Sequence, residues 1–219
     1  RHLELHRNFT ASHDATAKAP ETVLRLGYQS YMKPYHCFEG IRKFSDSHQD
    51  CRIILYDSSI REILNRGVID FAVMIQMAES AGSGCSIDLC PERFVLVVPQ
   101  SHPFAEKKEV SVSEASGESF ILLPDRCNLN ALAKMFCMNH GFLPKTIMTL
   151  PSCHNILEMV SCEYGITMLP SIAASRMLPM NAQIVELTEY FPLTVSMIFN
   201  SSRSLTPLDR ELAEYLRKE

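Results

Sequence analysis

Apolar and polar positions along the chain fall into short blocks whose period alternates. "VLRLGY" (23–28) is an apolar run with one charge, the pattern of a strand. "PYHCFEGIRKFS" (34–45) spaces Cys37, Phe38, Ile41 and Phe44 at helical intervals, which predicts a helix, and Pro34 suits its first turn. "CRIILY" (51–56) predicts a strand. Asp57, Ser58 and Ser59 then offer capping oxygens to a helix carrying Ile60, Ile63 and Leu64, which Gly67 stops. "IDFAVMI" (69–75) predicts a third strand. This β-α-β-α-β order implies a parallel sheet with right-handed crossovers.

The order returns later in the chain. "SFILL" (119–123) predicts a strand, and Leu129, Leu132, Ala133, Phe136 and Cys137 make one stripe of the next helix. "KTIMTL" (145–150) is a strand, a helix opening at Pro151-Ser152 buries Ile156, Leu157 and Val160, and "GITMLP" (165–170) is a strand. Between the halves, "ERFVLVVPQSHPFA" (92–105) is too apolar for an exposed connection and predicts a strand leading out of the first half. "LTVSMIF" (193–199) predicts a strand that returns to the first sheet, and "TPLDRELAEYLRKE" (206–219) a closing helix. The expected architecture is α/β, with two Rossmann-like lobes on a double crossover hinge and a cleft between them. The boundaries expected are a linker at 1–22, one lobe from 23–99 with 193–219, and the other from 100–192.

Composition narrows the function classes. The chain has 219 residues, 46% hydrophobic and 21% charged, with net charge −4, ordinary for a globular protein. It carries no basic stripe of the kind a self-sufficient nucleic-acid binder shows. The longest apolar runs, such as "FVLVV" (94–98), fall far short of the ~20 residues that span a bilayer, so no membrane partner is expected. The sequence begins without a signal peptide or an initiator Met, which reads as a fragment with something removed upstream. Eight cysteines stand at 37, 51, 85, 90, 127, 137, 153 and 162, none with C-x-x-C spacing. A chain this long does not need disulfide staples, so the cysteines read as small hydrophobes of a cytoplasmic protein. No metal motif, phosphate loop or nucleophile–base pair is present, so neither an enzyme nor a cofactor is expected.

Four stretches in order resemble the effector-binding domain of LysR-type transcriptional regulators. "LRLGY" followed by Pro34 is similar to the family's first strand and helix. "CRIILYDSSIREILNRGVIDFAVM" (51–74) resembles its strand, capped helix and G-x-[IL]-D strand. "FVLVVPQSHPFA" (94–105) resembles its crossover, and "ILEMVSCEYGITMLPSIAA" (156–174) its helix–strand pair. The resemblance implies the type 2 periplasmic-binding-protein fold. It also implies a homodimer or homotetramer built antiparallel through 34–45 and 129–140. DNA would be contacted only through an N-terminal winged helix-turn-helix that this chain does not contain.

In open α/β sheets ligands bind beyond the carboxyl ends of strands, where helix N-termini converge. Four corners qualify: Gln29, Ser30, Tyr31 and Met32; Asp57, Ser58 and Ser59; Asp125, Arg126 and Cys127, up to Asn128; and Ser152, Cys153 and His154, after Pro151. The resemblance implies an effector between the lobes touching these corners. Each residue has a plainer reading. Ser and Asp before a helix also serve as caps, and Tyr31 and Met32 either line a pocket or pack beneath the hinge. Arg126 is suited to pair with a carboxylate, which points to a small organic acid, or is an exposed Arg. His154 titrates near neutral pH or is a polar surface residue.

"LPDRCNLNALAKMFCMNHG" (123–141) raises a separate question. Peroxide-sensing members of the family use a cysteine pair in this region, and Cys127 with Cys137 is similar. A helix N-terminus and Arg126 would both favour a thiolate at Cys127. The sequence departs from those sensors at Arg126, where they have His, at Tyr31, where they have Thr, and in a cysteine spacing one residue longer. Ten residues of helix also hold two sulfurs ~15 Å apart, against a disulfide Cα separation of ~5.5 Å. The expectation is a ligand-sensing regulatory domain. The alternatives are a thiol-based sensor using Cys127 and Cys137, and a solute-binding protein of a transporter.

Overall fold

In the computed structural model the chain is described over residues 22–57, 60–79, 85–200 and 202–217, with the backbone alone at Ser30. It runs β1 (Thr22–Tyr28), α1 (Cys37–Ser47), β2 (Cys51–Tyr56), α2 (Ile60–Asn65), β3 (Phe71–Met77), β4 (Ser86–Glu92), β5 (Phe94–Pro99) and β6 (Glu109–Val110). There follow β7 (Ser119–Leu122), α3 (Asn128–Asn139), β8 (Lys145–Thr149), α4 (Cys153–Ser161), β9 (Thr167–Pro170), α5 (Ser171–Met177), β10 (Ala182–Leu187), β11 (Leu193–Phe199) and α6 (Pro207–Arg217).

The first sheet has the order β2-β1-β3-β11-β4. In the second region β6-β10-β5-β9 form one sheet and β7-β8 a pair beside it. The pair joins β9 at a parallel bridge between Phe120 and Ile166, where Ile121 N donates to Ile166 O and Ile166 N to Ser119 O, both at 2.9 Å. Through that bridge the second lobe reads β8-β7-β9-β5-β10. Each lobe therefore repeats one plan. Three parallel strands sit in the order second, first, third, and beyond them lies an antiparallel strand delivered from the other lobe.

The central strands explain the apolar runs. All six residues of β5 and the first five of β3 are buried, because layers cover both faces. The edge strand β8 alternates between exposed and half-buried positions. In the first lobe α1 and α6 pack so closely that a Cβ on Gly40 would lie 2.5 Å from the Tyr215 carbonyl oxygen. Phe44 there stacks on His48 at 4.2 Å and meets Tyr215 edge-on at 5.6 Å. In the second lobe Phe94, Phe136 and Phe191 stack with centroids 4.6–6.1 Å apart.

Several expectations need correction. Residues 94–99 were expected in the first lobe, but β5 pairs with β9 and β10, so the chain crosses at Arg93 rather than after residue 99. The first lobe instead gains β4, an edge strand paired to β11, where Pro91 is tolerated. Pro34 does not open α1. It lies in a 3₁₀ turn over Ser30–Tyr35, His36 turns left-handed at φ 53°, and α1 starts at Cys37. β3 begins at Phe71, two residues late, because Asp70 is committed elsewhere: its carboxylate accepts from Arg25 N at 2.7 Å and from Arg203 at 3.1 Å. The linker expected at 1–22 lies outside the described residues except Thr22, which already stands in β1.

The two crossings lie side by side, with Glu92 in register with Leu193. Glu92 is 4% exposed. One carboxylate oxygen accepts from Arg93 N (2.8 Å), Ser171 N (3.0 Å) and Ser171 Oγ (2.6 Å), and the other from Tyr35 OH (2.5 Å) and Ile172 N (3.1 Å). A single side chain thus ties the end of β4, the turn before α1 and the first turn of α5. Among the described residues no helix is long and apolar enough to cross a membrane.

Candidate functional site

The carboxyl ends of β1 and β2 face those of β7 and β8 across a cavity of about 660 Å³. One wall is Gln29, Tyr31, Asp57 and the first turn of α2, Ile60, Arg61 and Glu62. The other is Leu123, Pro124, Arg126, Cys127, Asn128 and Pro151. The parallel order places all four strand ends on one side of the molecule, which is why turns so distant in sequence meet here.

Tyr31 and Asn128 join the walls. Tyr31 OH donates to Asn128 Oδ1 at 2.8 Å, and Asn128 Nδ2 donates to the Ile75 carbonyl at 2.6 Å. Asn128, on the second lobe, is thereby held by two groups of the first. Burial pushes the Tyr31 hydroxyl well above its ordinary pKa, with the neighbouring Cys127 adding to it, so it stays a neutral donor.

The expected site residues divide. Gln29, Tyr31, Asp57, Arg126 and Cys127 line the cavity. Met32 is fully buried and packs beneath the turn instead. Asp125 turns away, where its carboxylate takes Lys134 at 2.6 Å and Asn130 at 3.2 Å. Ser152, Cys153 and His154 line a different cavity of about 490 Å³, with Lys33, Pro34, Arg176 and Met177. The fourth corner therefore reaches the main cleft only through Pro151. Ser58 and Ser59, and the Ser30 side chain, lie outside the described residues. Ile60, Arg61 and Glu62 were not expected. The capping signal at 57–59 did announce a helix start here, and its first turn could have been added to the corner.

At the cysteines, burial opposes the thiolate that the thiol-sensing alternative needs. Cys127 stands at the N-cap position of α3 with no capping hydrogen bond from its side chain. Burial pushes its thiol up, and this outweighs the lowering by the Leu129 and Asn130 backbone N–H groups and by Arg126. Burial raises Cys137 to about 12 and, with Cys127 nearby, Cys153 to about 12. α3 is continuous between Cys127 and Cys137, ten residues or ~15 Å of helix. Among the described residues no three His, Cys, Asp or Glu side chains are grouped to hold a metal ion.

A family model described as the LysR substrate binding domain matches residues 17–219. A hydrogen peroxide-inducible genes activator of Dickeya chrysanthemi is 28% identical over 153 residues, 68% of this chain and 50% of that protein, so the chain spans half that relative's length. Among solved structures, the regulatory domain of CcmR from Synechocystis PCC6803, in complex with 2-PG, has a TM-score of 0.76 at 15% identity, covering 90% of this chain and 96% of that one. The BenM effector binding domain with its effector benzoate has a TM-score of 0.72 at 20% identity, covering 91% and 92%.

Proposed function

The chain belongs to the LysR substrate-binding-domain family, and from that premise we propose that it is the ligand-sensing part of a DNA-binding transcriptional regulator working in the cytoplasm. A small molecule enters the 660 Å³ cleft between the lobes, and its presence alters how a homodimer or homotetramer sets DNA-binding heads carried upstream of this chain. The lobes divide at the two crossings, with 22–92 and 193–217 forming one and 94–192 the other. The observation that carries the reading is the cleft itself, walled by the carboxyl ends of β1, β2, β7 and β8 and floored by the Tyr31–Asn128 bond. A ligand shifts two arrangements of lobes only as far as it binds one better than the other. Asn128, anchored to both lobes, is placed where entry would be felt.

The test is a thermal-shift screen of metabolites followed by calorimetry on hits, with Arg126→Gln in parallel. A ligand whose binding weakens at least tenfold in the variant supports the reading. Hits that bind Arg126→Gln as tightly as the parent sink the cleft assignment. The same fold as a transporter's solute-binding protein is less well supported, since the matched relatives are named as a genes activator and a transcriptional regulator.

A further inference from the structure

The cleft's polar groups are of two kinds, spent and unspent. Tyr31 and Asn128 satisfy each other and the Ile75 carbonyl. Glu62 is paired with Arg66 at 3.1 Å. Gln29 is not spent: its Oε1 is buried and has no hydrogen-bond partner. Asp57, at the neighbouring strand end on the same wall, has no hydrogen bond or ion pair among the described residues. Across the cleft Arg126 has no carboxylate partner among the described residues, and its charge acts on the adjacent Cys127. Arg61, exposed on the first wall, likewise has no ion pair among the described residues. The first lobe therefore offers a buried neutral acceptor and, on the same wall, an exposed carboxylate, and the second offers an exposed guanidinium.

A buried acceptor without a donor is costly to leave unmade, so the site selects a guest that brings one. A simple carboxylic acid would satisfy Arg126 and leave the buried Gln29 Oε1 facing no donor. We infer that the cleft takes an α-amino acid, its ammonium group donating to Gln29 and Asp57 and its carboxylate paired with Arg126. Such a site discriminates against an analogue lacking the donor, because that analogue leaves the buried Gln29 Oε1 unpaired. This narrows the organic acid expected from sequence to a zwitterion, and it rests on the cleft reading above.

The test is calorimetry on the whole chain with amino acids and the 2-oxo acids that carry the same side chains: l-alanine with pyruvate, l-glutamate with 2-oxoglutarate, l-phenylalanine with phenylpyruvate, and so on through the proteinogenic set. At least one amino acid should bind tenfold or more tightly than its oxo partner. Asp57→Asn should remove most of that preference, and Arg126→Gln should weaken both. Circular dichroism on each variant separates lost binding from lost folding. Oxo acids binding as tightly as amino acids would overturn the inference, as would an undiminished preference in Asp57→Asn. If no amino acid binds but another metabolite does, and Arg126→Gln weakens it, the zwitterion inference fails while the cleft reading stands.

Discussion

Replacing Glu92 with glutamine changes few atoms and little volume at the crossing of the lobes, yet it should be among the most damaging substitutions of its size. Five donors converge on the carboxylate, three on one oxygen and two on the other. An amide keeps one acceptor. Whichever way it turns, its NH₂ faces donors that the second oxygen had accepted. In the better orientation the NH₂ meets Tyr35 OH and Ile172 N; the hydroxyl can rotate to accept, but the Ile172 N–H cannot. Hydrogen bonds to a charged group contribute about 1.5–3 kcal/mol each, and an orphaned buried donor costs about 1–3 kcal/mol. Allowing for the bonds that survive in neutral form, the expected loss is about 2–4 kcal/mol. For a domain of this size that lowers Tm by about 5–15 °C.

Thermal and urea unfolding followed by far-ultraviolet circular dichroism would measure the loss. Tyr35→Phe is the internal control. It removes one bond and leaves four donors on the carboxylate, so it should cost about 1.5 kcal/mol. A Glu92→Gln protein within about 0.5 kcal/mol of the parent, the range of an ordinary surface substitution, would refute the reasoning, since it would mean that the five contacts contribute no more than water does.

Three further outcomes are expected. Iodoacetamide at neutral pH should label the exposed Cys162 before Cys137 or Cys153, whose thiols burial has raised to about 12; a Cys127–Cys137 disulfide formed in the native protein by equimolar peroxide would contradict this. Burial raises Glu189, but hydrogen bonds from Ser111 Oγ, Val112 N and Thr188 Oγ1 prevail and bring it from 4.5 to about 2. A depressed carboxylate stabilises the fold fully above its unfolded pKa and loses that contribution as pH falls from about 4.5 through about 2, so Glu189→Gln should flatten the acid limb of stability, and an unchanged limb would argue against it. Gly40→Ala should destabilise by about 1–3 kcal/mol, because the new Cβ has backbone rather than a flexible side chain 2.5 Å away; an unshifted melting curve would show that α1 and α6 separate at little cost.

What was legible in the sequence follows from which forces are local. "FVLVVP" announces a strand buried on both faces, and β5 is one. The same six residues would look identical in either lobe, so the crossing at Arg93 was invisible until pairing was known. β4 was missed because an edge strand keeps polar residues and even a proline, which weakens the alternation that reveals a strand. The corners could be found because caps and strand ends have local signatures. Which residue of a corner faces the cleft could not, because that depends on partners far along the chain. Asp125 is drawn away by Lys134, nine residues on, and Asn128 is drawn in by Tyr31, 97 residues back.

The cysteines make the same point in energetic terms. A helix start and an adjacent arginine are local, and both favour a thiolate at Cys127. Desolvation is global, set by burial that only the assembled fold provides, and here it outweighs them. Burial acts on the facing wall too, where Gln29 Oε1 is shut in without a hydrogen-bond partner. Burial that raises a thiol's pKa on one wall and burial that makes a missing hydrogen bond expensive on the other are one desolvation cost borne by two kinds of group. The raised thiol pKa at Cys127 and the selectivity inferred for the cleft therefore draw on one physical effect, the removal of polar groups from water.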